Sequence, residues 1–421
     1  MHPNALLDLA AELLREVFRF QQPADAVVST FFRDHRSLGP RDRQTLAETT
    51  YGVLRQRLLF EHLALSGAGA DVRERRLAIA GWQGSEAALQ AALSPAEQQW
   101  LEQIAAIDRS ALAPPLRHNL PEWLAEALQS SLGDDFWPLV QSINVAAPLD
   151  LRVNTLKIKR EAAIAELANE GITAAATPYS PFGLRVEGKP SLHRSAIFTR
   201  GDVEVQDEGS QLLALLVDPR RGEIVVDFCA GAGGKTLALG VAMRNTGRLY
   251  AFDTSGHRLA ALKPRLERSG LSNVHLLQIA HERDERINRL AGKVDRVLVD
   301  APCSGLGTLR RNPDLKWRQT PALVQGLRTR QIAILNSAAR LLKPGGRLVY
   351  ATCSLLEAEN ESVAHQFSTE HSARFKAVPA IMALAHSRID GAQNLVDGEF
   401  LHLWPHRHGT DGFFAAAWQH T

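Results

Sequence analysis

The sequence predicts an α/β fold: a seven-stranded, mostly parallel sheet over residues 206–421, preceded by an all-helical domain at 1–145 and a small α/β module at 146–205. Three observations predict it. From Gln206 onward, short apolar runs alternate with helical patterns, as in parallel strands joined by crossover helices. Before Pro148, apolar residues recur every three to four positions, the spacing of amphipathic helices. Between these regions the texture is mixed, and the first lysines of the chain, Lys157 and Lys159, appear there.

Composition narrows the classes. A chain of 421 residues with 45% hydrophobic and 22% charged content has the material for two or three domains with their own cores, which excludes wholesale disorder. No stretch reaches the roughly 18 consecutive apolar residues of a membrane span. Met1 to Phe20 carries acids within its apolar run and lacks the basic start of a signal peptide. The expectation is a soluble cytoplasmic protein with no membrane partner, and a monomer ahead of an oligomer. Cys229, Cys303 and Cys353 are odd in number and too far apart for a disulfide framework or a zinc site. No metal is therefore expected, and the cysteines matter, if at all, as thiols. A net charge of +2 argues for neither nucleic acid nor membrane.

The elements follow in order. Leu6, Leu9, Ala10, Leu13, Leu14, Val17 and Phe18 give Ala5 to Phe20 one apolar face, predicting a helix. Gly39-Pro40 is a turn, and Arg41 to Leu65 reads as one longer helix. Ser94-Pro95-Ala96-Glu97 joins a capping box to a Pro at the first helical position, a strong helix start. Pro114-Pro115 and Pro121 break the pattern. Residues 1–110 hold 12 Arg and 14 acids and no lysine, so no uniformly basic surface is expected there. Arg33, Arg36, Arg41 and Arg43 cluster near the Gly39-Pro40 turn, as a local phosphate-contacting patch or as a solvated turn. In the next module, Leu149 to Leu156 alternates like a strand, Arg160 to Glu170 is helical and Gly183 to Val186 is strand-like. Arg152, Lys157, Lys159 and Arg160 concentrate positive charge there, which suits single-stranded RNA, although the module also reads as a spacer.

The seven strands of the large sheet are expected at Glu223–Phe228, Arg248–Phe252, Val274–Ile279, Asp295–Val299, Gly346–Ala351, Phe400–Trp404 and Phe413–Trp418. The short connection between the last two makes that pair antiparallel. Ligands of such sheets sit at the carboxyl ends of the strands. The first strand runs into Asp227-Phe228-Cys229-Ala230-Gly231-Ala232-Gly233-Gly234-Lys235-Thr236. A P-loop needs Gly where this chain has Cys229, and the dinucleotide fingerprint needs a third Gly where it has Thr236. What remains is a Gly-rich strand-to-helix turn with Asp253 at the end of the next strand. That suits a nucleoside whose ribose hydroxyls meet Asp253 and whose amino-acid tail meets the turn, the shape of S-adenosyl-L-methionine.

Cys303 lies in Asp300-Ala301-Pro302-Cys303-Ser304-Gly305, and Cys353 in Ala351-Thr352-Cys353-Ser354, each just past a strand. Singly, each cysteine reads as a small core residue. Adjacent strand ends would bring both thiols to the cofactor rim, where Lys235 and Asp300 are the nearest groups able to activate one. Methylation of a pyrimidine at carbon 5 calls for this equipment: a thiolate adds to carbon 6, making carbon 5 nucleophilic, and a base later removes the carbon-5 proton. Arg310, Arg311, Lys316 and Arg318 around Trp317 read either as a stacking-and-phosphate loop or as a solvated loop anchored by one Trp.

The motifs Asp227 to Thr236, Asp300 to Gly307, Pro313 to Trp317, Thr352 to Ser354 and Thr410 to Phe414 resemble the RsmB/NSUN family of RNA cytosine-5 methyltransferases. Leu151-Arg152-Val153-Asn154 and Val205-Gln206-Asp207 join the resemblance, and the helical N-terminal part is similar to a NusB-like domain. The resemblance implies a Rossmann-like S-adenosyl-L-methionine-dependent fold acting on RNA, rRNA ahead of tRNA, with the small module RRM-like. It implies that Cys353 attacks carbon 6 and Cys303 assists release, and that the cofactor meets Cys229, Ala230, Gly231, Ala232, Gly233, Gly234, Lys235, Asp253 and Asp300. Two positions depart from the family pattern. Ala232 replaces the usual Pro, and Ala280-His281 stands where an acid usually lies near the adenine, leaving His281 and Glu282 as candidates. The competing readings are a P-loop-like NTPase dependent on Lys235 and a non-catalytic RNA-binding module.

Overall fold

The computed structural model describes residues 1–66, 72–387 and 389–421. It divides into two compact units, one of Met1–Ala146 with Thr308–Thr320, the other of Ala147–Gly307 with Pro321–Thr421.

The first unit is helical among its described residues. The apolar face of its first helix, Pro3–Val17, is buried at Leu6, Leu7, Ala10, Leu13, Leu14 and Val17. Ser94 and Glu97 form the expected reciprocal cap of the helix Pro95–Ala105. The stretch read as one long helix is two, Pro40–Arg55 and Arg57–Leu65, broken at Gln56 (φ −118°, ψ 38°). The break exposes backbone donors at the new N-terminus, and the Asn119 side chain accepts one of them, Leu59 N at 3.0 Å.

The Thr308–Thr320 segment settles the two readings of the Arg- and Trp-bearing loop. Trp317 packs against the helical core and donates from its indole N–H to Leu54 O at 3.1 Å. Lys316 is wholly buried, donating to Arg55 O at 2.7 Å and Asn144 Oδ1 at 2.8 Å, and burial pushes its pKa down to about 7. The Trp is an anchor rather than an exposed stacking surface, because a ring with a satisfied N–H is worth more buried.

The second unit contains two sheets. The smaller has strands β1 (Leu149–Val153), β2 (Ala174–Ala176), β3 (Gly183–Val186) and β4 (Val203–Val205) in the antiparallel order β2-β3-β1-β4. Leu151, Val153, Leu184 and Val203 point into its core. The larger has nine strands rather than seven: β5 (Ile224–Asp227), β6 (Arg248–Asp253), β7 (Val274–Gln278), β8 (Val294–Asp300), β9 (Leu342–Thr352), β10 (Phe375–Val378), β11 (Val396–Asp397), β12 (Phe400–Leu403) and β13 (Phe413–His420). Strands β5 to β9 pair in parallel, and β10 to β13 extend the sheet antiparallel. The two additional strands are two and four residues long, too short for period-2 alternation to register.

Two of the cations whose concentration suits RNA form hydrogen bonds within the protein, Arg152 from a buried position and Lys157 from an exposed one. Arg152 is buried and donates to Gly234 O at 2.8 Å and to Gln206 Oε1 at 2.5 Å, bracing the Gly-rich turn. Lys157 donates to Arg200 O at 2.6 Å and Arg268 O at 2.7 Å.

Candidate active site

The crossovers of the large sheet leave a cavity of about 740 Å³ at the carboxyl ends of β5, β6, β8 and β9, the place that chain topology reserves for ligands. All the candidates from sequence line it: Cys229 to Lys235, Asp253, Asp300, Cys303 and Cys353, with His281 and Glu282.

The Gly-rich turn is shaped by left-handed backbone. Gly231 has φ +55° and Gly233 φ +85°. Space around an added Cβ differs between them: at Gly231 nothing lies within 4 Å, whereas at Gly233 Leu262 Cδ1 would be 2.1 Å away. Gly233→Ala is expected to cost about 1–3 kcal/mol from φ alone, plus the clash. Gly231→Ala should be the milder change, and thermal melts of the two variants, with cofactor titrations, check the order.

Beneath the turn, Asp227 is fully buried and accepts from Thr236 Oγ1 at 2.7 Å. Burial pushes its carboxyl up to about 7 from the ordinary 3.8. Below pH 3.8 both folded and unfolded chains hold the proton, so the group contributes no penalty. As pH rises toward 7 the unfolded chain ionises while the folded one keeps its proton, and stability falls. Asp227→Asn, whose amide oxygen still accepts from Thr236, should therefore gain on the parent protein between pH 4 and 7. A pH-independent difference in melting temperature would contradict this.

The next strand ends at Asp253, whose carboxylate accepts from Gly231 N at 2.8 Å and Ser255 N at 2.7 Å. Each oxygen keeps a lone pair for a ribose hydroxyl. A Gly cradle, an acid with spare acceptors at the second strand end and an open cavity fit S-adenosyl-L-methionine. On the adenine side, Ala280 N donates to Asp284 Oδ2 at 2.8 Å. Asp284 also binds Arg286, so this nearby acid, which sequence reasoning passed over, is already engaged.

At the other end of the cavity, Asp300 pairs with Ala351 across β8 and β9, which carries the two following loops out side by side. The Cys303 and Cys353 sulfurs stand 3.4 Å apart, and Gly307 N donates to Cys353 O at 2.8 Å. Gly307 is needed there, since an added Cβ would lie 2.0 Å from Gly412 O. The hydrogen bond to Cys353, with burial, pushes the Cys303 thiol well up. Burial likewise pushes Cys229 up, aided by Asp227 and Asp300. Lys235 donates to Asp300 Oδ2 at 2.7 Å. Burial works against the charge on Lys235, but Asp300, then Cys353 and Asp227, outweigh it and hold its pKa above the ordinary lysine value.

The sequence reading missed Arg258 and Arg330, two exposed cations at the cavity that pair with no acid among the described residues. Isolated arginines on helices carry no motif, so only the fold brings them here. It also missed Glu359, buried behind both cysteine loops.

Comparison with known proteins follows the same lines. The family pattern described as 16S rRNA methyltransferase RsmB/F matches residues 214–419, and the pattern of its ferredoxin-like domain matches 120–193. The chain is 31% identical to the probable ribosomal RNA small subunit methyltransferase B of Synechocystis sp., over 97% of this chain and 98% of that protein. The solved structure of PH0851 superposes with a TM-score of 0.80 at 28% identity, covering 100% of this chain and 99% of its own. NSun6 from Pyrococcus horikoshii, solved with SFG, shares the fold at a TM-score of 0.62 and 23% identity, over 71% of this chain and 98% of its own. These likenesses, with Lys235 engaged by Asp300, leave the NTPase reading without support.

Proposed function

We propose that this chain, which belongs to the RsmB/F family of S-adenosyl-L-methionine-dependent rRNA methyltransferases, methylates carbon 5 of a cytosine in small-subunit ribosomal RNA through a cysteine thiolate. The observation that carries the reading is the pair of thiols 3.4 Å apart on the rim of the cofactor cavity. S-adenosyl-L-methionine supplies an electrophilic methyl group when bound, held by Cys229 to Lys235, Asp253 and Asp300.

In this reading Cys353 adds through sulfur to carbon 6 of the cytosine, and the displaced electron pair makes carbon 5 nucleophilic. Lys235 lines the same cavity as Cys353, and Asp300 keeps Lys235 charged and in place. Once carbon 5 carries the methyl group, loss of the carbon-5 proton to a base restores the ring double bond and expels the Cys353 sulfur, and Cys303, 3.4 Å away, is placed to assist that release. The target base must be single-stranded or extruded, because stacking covers carbon 6. Arg258 and Arg330 are suited to flanking phosphates. Residues 1–145 and the module at 146–205 then serve to bind the RNA, and the enzyme works in the cytoplasm.

Incubation with S-adenosyl-L-methionine and unmodified ribosomal RNA, followed by nucleoside analysis, should yield 5-methylcytidine. Methylation found only at another atom, or none on any ribosomal RNA, would overturn the proposal.

A further inference from the structure

We infer that Glu359 is a positioning residue: a buried carboxylate that clamps the two cysteine loops together and so sets the spacing of the thiols. The inference rests on the cysteine chemistry proposed above. Glu359 is wholly buried, and among the described residues no lysine or arginine pairs with it. Its oxygens are satisfied by neutral donors from both loops and one helix. Oε1 accepts from Ser304 N at 2.8 Å and from Gln331 Nε2 at 3.0 Å. Oε2 accepts from the hydroxyls of Ser304 and Ser354, each at 2.5 Å. Ser304 directly follows Cys303 and Ser354 directly follows Cys353, so one carboxylate grips the neighbour of each thiol.

The clamp is itself held. Tyr350 donates from its hydroxyl to Glu359 O at 2.5 Å, and Gln331 Nε2 also reaches Pro302 O at 3.0 Å. The adjacent Asn360 accepts from Thr352 Oγ1 at 2.5 Å and donates to Ser354 O at 3.1 Å. A carboxylate buried without a cation is costly and persists only when every lone pair is met. Separating the loops would strand it, so the same groups that satisfy Glu359 resist movement of the sulfurs. Carbon 6 and carbon 5 of one base are bonded neighbours, and both thiols must serve that one ring. Misplacement by about 1 Å can cost about 100-fold in rate.

Reach and charge separate a clamp from a proton-handling acid. Glu359→Gln keeps the length, and its amide can donate to the two serine hydroxyls while its oxygen still accepts from Ser304 N. Glu359→Asp keeps the charge but falls short by one methylene. A clamp predicts that Glu359→Asp lowers kcat by about 100-fold with KM for S-adenosyl-L-methionine unchanged, and that Glu359→Gln keeps at least about tenfold more activity. The reverse order would overturn the inference. A second readout needs no RNA. Phenylarsine oxide condenses with two adjacent thiols, forming two S–As bonds and releasing one water. The parent protein and Glu359→Gln should take up one equivalent and lose two free thiols, while Glu359→Asp, and the milder Ser304→Ala and Ser354→Ala should Glu359→Asp not fold, should react at least about tenfold more slowly. Equal rates throughout would show that the spacing does not depend on the clamp. Slow arsenical uptake by the variants, beside a parent enzyme that makes no 5-methylcytidine, would keep the clamp and discard the proposed reaction.

Discussion

Cys353→Ala is expected to lower RNA methylation on the order of 10⁴-fold or more, since removal of a covalent nucleophile leaves only binding and orientation to act. Carbon 5 of cytosine is a poor nucleophile, and no other group at the cavity can take the place of a sulfur at the end of β9. Cofactor affinity should survive, because the Gly-rich turn and Asp253 form their contacts without Cys353. Single-turnover assays alongside a cofactor titration separate the two quantities. Loss of both together would mean that Cys353 holds up the cavity rather than performing the attack.

Cys303→Ala should behave in the opposite way at the protein–RNA bond. With the attacking thiol intact and the release partner gone, addition to carbon 6 proceeds and departure stalls. About one RNA per chain should then accumulate as a complex that survives denaturing electrophoresis, while net turnover falls by about 100-fold, a loss of the size seen when acid–base assistance is removed. The 3.4 Å spacing of the sulfurs places both at the same base, so the two variants differ only in which thiol is lost. If Cys353→Ala traps RNA and Cys303→Ala does not, the two roles are exchanged.

Much of this was legible in the sequence, for physical reasons that also explain the rest. The buried parallel strands β5, β6 and β8 read as apolar runs ending in Asp227, Asp253 and Asp300, so sheet and cavity could be placed together. The two cysteine motifs stood at strand ends, and strand adjacency did the rest. Charge was read less well. Arg152 and Lys316 look like RNA contacts by composition, yet both are buried and donate to carbonyl oxygens inside the fold, while Lys157 stays exposed as it donates to Arg200 O and Arg268 O. A cation's partner lies far away in sequence, as with Arg152 and Gly234, and no local pattern announces it. Glu359 escaped for the same reason: its partners at Ser304 and Gln331 meet it only after folding.

The central claim is that Cys353 bonds to carbon 6 of cytosine in ribosomal RNA. Tandem mass spectrometry of the complex trapped by Cys303→Ala, after digestion of both protein and RNA, tests it most directly. The account predicts a peptide spanning Cys353 that carries one cytidine already methylated at carbon 5. A nucleotide found on another residue, or an unmodified Cys353 in an enzyme that still makes 5-methylcytidine, would contradict it.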